Sequence, residues 1–267
     1  MKTESKQLLR DLKAAAMLGR PGAIDIALDG LLGLPGVASN DRMDAGLIEQ
    51  VILPVGKALT TLQSSQLRPL LDHQLAAGRA IGAVALVHHF VEGKDATQKD
   101  LRKPAGDARP DVRAALGRTL FTIANADPEK LLNLGTTWIM QTSPKLRHTA
   151  LVFIPALASH FGARIVGLLG PLGADEDRDV RAALVDALKA LGHTGLANSV
   201  LELLLMWGSE SKPNSWVICR VISSSWAADY PEEVEAILRG LESKVGKSSQ
   251  ISNAVRALAR HGLEIKI

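Results

Sequence analysis

The sequence predicts an all-α chain, an α-solenoid of about seven stacked helical hairpins, and three observations carry that reading. Arg79, Arg113, Arg147 and Arg181 stand at a constant spacing of 34 residues. The apolar residues after each arginine keep the same step: Ile81, Ala85 and Leu86, then Ala115, Leu116 and Leu120, then Ala150, Phe153 and Ile154, then Ala183, Leu184, Ala187 and Leu188. The composition, 46% hydrophobic but only 3% aromatic, suits helices zipped by Leu, Ala, Val and Ile. A fixed period in this range marks a repeat array, in which each unit buries its apolar face only by stacking on its neighbours.

Each period divides into a first helix A and a second helix B. The A helices are expected to begin near residues 42, 77, 110, 144, 178 and 213. The B helices carry their own series at the same spacing, Leu132, Val166, Val200 and Val234, with Leu169, Leu203 and Ile237 three positions on. Residues 1–43 read as an irregular amino-terminal cap, with helices over 4–18 and 22–33 separated by Gly19-Arg20-Pro21-Gly22. Residues 44–247 read as the repeats and 248–267 as a carboxyl-terminal cap helix, all in one domain of residues 1–267. Pro54 should kink the helix expected over 42–63, because it lacks the amide donor and its ring crowds the preceding turn. Asp127-Pro128 and Tyr230-Pro231 place proline at the first helical position, with Asp127 as the cap, and Gly192 reads as a helix end. One unit departs from the pattern: the stretch 92–109 is so polar that only Leu101 offers an anchor, which predicts a short, exposed and mobile helix.

Asp175-Glu176-Asp177-Arg178-Asp179-Val180-Arg181-Ala182-Ala183-Leu184, followed by Ala187-Leu188 and Leu191-Gly192, resembles a HEAT repeat of the phycobilisome-lyase type. Asp111-Val112-Arg113-Ala114-Ala115-Leu116 and Lys145-Leu146-Arg147-His148-Thr149-Ala150-Leu151 repeat the motif, and the resemblance extends over 44–262. It implies a right-handed solenoid with A helices on the convex side and B helices lining the concave one, and a scaffold that binds rather than reacts. A bilin-lyase subunit is a third implication of the same resemblance. Tetratricopeptide repeats share the period but need large aromatics at fixed helix positions, which these units lack. A second segment, Trp138-Ile139-Met140-Gln141-Thr142-Ser143-Pro144-Lys145-Leu146-Arg147, resembles the HEAT-like DNA alkylation repair glycosylases. It departs from that family where Lys145 or Leu146 replaces the second aromatic and His148 replaces the paired arginine, and no nearby acid takes the place of the catalytic Asp.

The candidate sites follow from these readings. The arginine ladder, Arg79, Arg113, Arg147 and Arg181, is read as structural, each guanidinium bridging to an aspartate such as Asp111, Asp177 or Asp179. A protein partner is expected in the concave groove or along the basic insertion, at Lys94, Lys99, Arg102, Lys103 and Arg109, or at Trp207, half exposed at a B-helix end beside Gly208-Ser209. The alternative is a DNA-binding protein that uses Trp138, Lys145 and Arg147. Net charge is +3, divided evenly along the chain: 17 basic and 15 acidic groups in residues 1–134, and 14 and 13 in 135–267. No basic tail therefore announces nucleic acid.

No catalytic constellation, cofactor or metal is expected. His88 and His89 are adjacent, so they point about 100° apart on a helix rather than sharing a face. Cys219 is the sole cysteine and reads as a small core residue, which excludes an internal disulfide. Gly246-Lys247-Ser248 lacks the leading glycine of a phosphate loop, since Leu241 stands there. No apolar run is long enough to span a membrane, and the amino terminus lacks the apolar core of a secretory signal, so a cytoplasmic chain is expected.

Overall fold

The computed structural model describes residues 3–18, 21–32 and 42–265, and among these it is helical throughout, with no β-sheet. Part of the expected amino-terminal cap, the turn at Gly19-Arg20 and residues 33–41, lies outside the described residues. The chain falls into two compact units, Met1–Leu134 and Gly135–Ile267.

In the first unit α1 (Thr3–Leu18) packs against α2 (Pro21–Leu32). The helix expected over 42–63 is broken into α3 (Ala45–Leu47), a π-turn at Ile48–Ile52, α4 (Leu53–Ala58) and a 3-10 turn at Leu59–Thr61. The wider π-turn lies directly before Pro54, where the missing amide donor interrupts the regular ladder. Next come α5 (Ser64–Leu71), α6 (Ala76–Val91), α7 (Gln98–Ala105) and α8 (Pro110–Thr122). Apart from Arg79 and the two histidines helix α6 is apolar, and nearly every residue of it is buried, as befits a helix enclosed by α4, α5, α7 and α8.

Helix α7 is short, with Lys99, Asp100, Arg102 and Lys103 exposed, but it has more anchors than the one expected. Leu101 is fully buried, but Pro104 and Ala105 are buried with it. A capping box closes its start: the Asp100 carboxylate accepts from the Thr97 amide at 2.8 Å and the Thr97 hydroxyl at 2.6 Å. Hydropathy alone underrates this helix, because Pro and Ala contribute packing that their scale values do not announce.

Helix α9 (Pro128–Ile139) spans the junction of the units, with the Asp127 side chain accepting from the Lys130 amide at its start. The second unit continues with α10 (Pro144–Phe153), α11 (Ala158–Phe161), α12 (Ala163–Leu168), α13 (Arg178–Leu191), α14 (Ala197–Gly208), α15 (Ser215–Ile222), α16 (Pro231–Val245) and α17 (Ser249–Arg260). Two rows result within this unit. Helices α10, α13, α15 and α17 pack in succession, and α12, α14 and α16 form the second row. Observed A-helix starts at 110, 144 and 178 agree with the periodic reading, and those at 76 and 215 lie within two residues of it.

Gly192 caps the end of α13 as expected, but the chain does not reverse there. Gly192 keeps helical angles, and the reversal comes at Gly195, with φ +85°. Gly192 is small for another reason: a β-carbon there would collide with the Trp226 ring.

Two arginines of the series, Arg79 and Arg147, make the same set of bonds, each within its own unit. Arg147 donates from Nε and Nη2 to Asp175 at 2.6 and 3.1 Å, and from Nη1 to the carbonyls of Gln141 and Thr142 at 2.9 and 2.8 Å. Arg79 makes the corresponding set with Asp107 at 2.8 and 3.3 Å and with the carbonyls of His73 and Gln74 at 2.8 and 2.7 Å. The carboxylates are thus Asp107 and Asp175, each 28 residues after its arginine, and not Asp111, Asp177 or Asp179. Asp177 is committed to capping α13, accepting from the Asp179 and Val180 amides. Burial opposes the charge on Asp107, but the bidentate Arg79 guanidinium and the Arg109 amide hold its pKa below the ordinary carboxylate value.

Alternate rungs lack the carboxylate. Position 141, which follows Arg113 by 28, is Gln141, and position 209, which follows Arg181 by 28, is Ser209. Correspondingly, the buried Nε of Arg113 and of Arg181 has no hydrogen-bond partner.

Candidate partner-binding groove

The basic insertion is largely neutralised by its surroundings. Lys94 pairs with Glu92 at 2.7 Å and donates to the Thr60 carbonyl at 3.0 Å, Lys103 pairs with Asp72, and Arg109 lies 3.5 Å from Asp111. Lys99 and Arg102 are exposed. Trp207 is 1% exposed, which corrects the expectation of a half-exposed anchor. Its indole N–H donates to the Gly170 carbonyl at 3.2 Å, and its ring lies against Gly173, so the side chain belongs to the core. Of the residues proposed for DNA, Trp138 is fully buried, edge-on to Phe153 with centroids 6.1 Å apart. Arg147 is engaged by Asp175 and two carbonyls, and Lys145 is half-buried at the start of α10. No stacking surface for a base is therefore assembled at 138–147.

One groove lies outside both the concave-side expectation and the insertion. A groove of about 930 Å³ lies on the A-helix row of the second unit, over α15 and between α13 and α17. Its origin is local. The outward face of α15 is Trp216, Cys219, Arg220 and Ser223, positions i, i+3, i+4 and i+7 of one helical stripe. Cys219 and Ser223 are small, so the floor is low. Helix α15 has 8 residues, while α13 has 14 and α17 has 12, so longer helices flank it. Ser215 donates to Gln250 at 2.7 Å and ties α15 to α17 at one end.

Charge distinguishes this groove. Lys189, Arg220, Arg256, Arg260 and His261 line it, and no acidic residue does. None of the lysine and arginine side chains forms an ion pair with a described carboxylate. Arg256 and Arg260 make only local bonds along α17, to the Ser252 carbonyl, the Asn253 side chain and the Arg256 carbonyl. Arg220 lies 5.8 Å over the Trp216 ring, which leaves its guanidinium edge toward solvent. The Cys219 thiol beneath them is buried, and burial pushes its pKa up to about 12, so it is not a nucleophile at neutral pH.

A second polar cluster escaped the sequence reading. Asp95 accepts from the Ser64 amide and hydroxyl, each at 2.8 Å, and lies 2.7 Å from His89 Nδ1, which is 3.3 Å from Ser64 Oγ. Serine, histidine and aspartate are together, but both partners face the same ring nitrogen, while the buried Nε2 has no partner. A nucleophilic triad needs the hydroxyl and the carboxylate on opposite nitrogens. The cluster instead fastens the start of α5 to the end of α6 and the turn after it. Hydrogen bonds from His89 and then from the Ser64 amide and hydroxyl hold the Asp95 pKa far below the usual carboxylate range.

Among the described residues no group of histidine, cysteine, aspartate and glutamate is arranged to hold a metal ion, and no helix is long and apolar enough to cross a membrane. No protein-family model matches the chain, and neither a curated protein nor a solved structure does.

Proposed function

We propose that this chain is a non-enzymatic scaffold of HEAT type, a right-handed α-solenoid, that works by holding a protein partner. The observation that carries the proposal is the groove over α15: four cationic side chains and a histidine around a low floor, with no carboxylate among them. Like charges gathered on one surface repel, and an anionic partner relieves that repulsion. The guanidinium ladder supports the reading from the other direction. Its arginines serve packing within the repeats, so they are withdrawn from phosphate contact, and Trp138 is enclosed. The test is an anisotropy titration of the full chain with labelled duplex and single-stranded DNA, at low and moderate salt. No binding even at low salt is expected. Salt-sensitive binding at micromolar or lower concentration would replace the proposal with a nucleic-acid function.

A further inference from the structure

Resting on the scaffold reading, we propose that the groove over α15 takes an acidic peptide segment, one with two or more carboxylates flanking a small apolar side chain. Arg256 and Arg260 are four residues apart on α17 and so project from the same side of that helix, while Lys189 stands on α13 across the groove. A ligand lying along α15 meets cations on both sides. Guanidinium groups pair bidentately with carboxylates, and those of Arg220, Arg256 and Arg260 have no ion-pair partner among the described carboxylates.

The floor then selects the class of anion. It consists of Cys219 and Ser223 from α15 with Ala254 and Ala257 from α17, so it accepts a small aliphatic side chain between the charged rims. Trp216 is the only Trp, Tyr or Phe lining the groove, and Arg220 lies over it, which leaves the small imidazole of His261 as the one uncovered ring for a base. A carboxylate-bearing peptide satisfies the rims and the floor together, which a nucleic acid strand does not.

The experiment uses the full chain and a fluorescein-labelled peptide of alternating Glu and Ala, with the corresponding Gln–Ala peptide as control. The acidic peptide is expected to bind and the Gln peptide not to bind. Affinity should fall with added salt, and by about tenfold for Arg220→Glu and again for Arg256→Glu. Lys99→Glu, on α7 of the first unit and not among the groove's lining residues, is expected to leave it unchanged. Ser223→Trp fills the floor without altering charge and should also abolish binding, which separates occupancy of the groove from a general charge effect. The proposal is overturned if the acidic peptide fails to bind, if Lys99→Glu weakens it as much as the groove variants, or if Ser223→Trp binds normally. DNA binding in the titration above would remove the scaffold reading itself. A failed peptide with no DNA binding removes only this site.

Discussion

The indole of Trp207 occupies the space that a β-carbon on Gly173 would need, and the two residues are one 34-residue period apart. Trp226 stands in the same relation to Gly192, at the same separation. In the second unit a large ring is thus admitted where the preceding repeat supplies no side chain. Gly173→Ala and Gly192→Ala should each destabilise the chain by about 1–3 kcal/mol through overpacking. Gly167, inside α12 with open space where its β-carbon would stand, is the contrast: Gly167→Ala should stabilise by roughly 0.5–1 kcal/mol. Urea denaturation of the three variants checks this. Equal midpoints for Gly173→Ala and Gly167→Ala would refute the steric account.

The Arg147–Asp175 pair is enclosed, its side chains 16% and 5% exposed. Removing one partner strands the other charge, so Asp175→Asn should cost about 3 kcal/mol. Arg147→Met together with Asp175→Asn should cost much less than the sum of the single changes, a coupling read from a double-mutant cycle. Arg181→Met, at a rung with no following carboxylate, is expected to cost less than Arg147→Met. The reverse order would mean that the carboxylate is not what distinguishes the rungs.

Mild acid should destabilise the first unit through His88. Burial is the main cause that depresses its pKa, helped by Lys57, His89 and Lys94 and opposed by Glu92. The unfolded chain therefore takes up the proton first, and stability present above the ordinary histidine range is lost as pH falls below about 6.5. Asp95 does not contribute in this window. Its depressed carboxyl supplies stability that is fully present above the ordinary carboxylate range and is lost only in stronger acid. Thermal melts between pH 8 and pH 5 should show a falling midpoint for the native chain and a flatter profile for His88→Gln. Parallel profiles would assign the loss elsewhere.

Cys219 should be inert in the folded protein. It is 3% exposed with a thiol pKa raised to about 12, so an aromatic disulfide reagent should react slowly, and fast once urea unfolds the chain. Rapid native modification would mean that the floor of the groove opens readily, and would weaken the assignment of Cys219 to it.

Much of the fold was legible because the repeat is written in residue types that have one local purpose. Asp127 and Asp177 cap helices, prolines open them, and the apolar stripes set the A-helix starts within three residues. The partners of the arginines were not recognisable, since Asp111 and Asp177 stand two and four positions before Arg113 and Arg181, the rungs that meet no carboxylate, whereas Asp107 and Asp175 stand 28 positions after Arg79 and Arg147. The groove was hidden for a related reason. Lys189 to Arg220 is 31 positions and Arg220 to Arg256 is 36, so these residues fall outside the 34-residue register and a periodic reading passes over them. The remaining signal was α17 itself, which carries two arginines and no acid. The Ser64–His89–Asp95 cluster joins three positions with no common spacing, and only the folded chain brings them together.

The alternation along the ladder sets how this chain could be lengthened or cut. Counting by 28 from each arginine gives Asp107, Gln141, Asp175 and Ser209, acidic and neutral in turn. A 34-residue cut made between Arg79 and Asp107 would set Gln141 opposite that arginine, while a 68-residue cut there would set Asp175 opposite it. A 34-residue cut that removes Arg79 together with Asp107 strands no charge, so the place of an excision matters as much as its length.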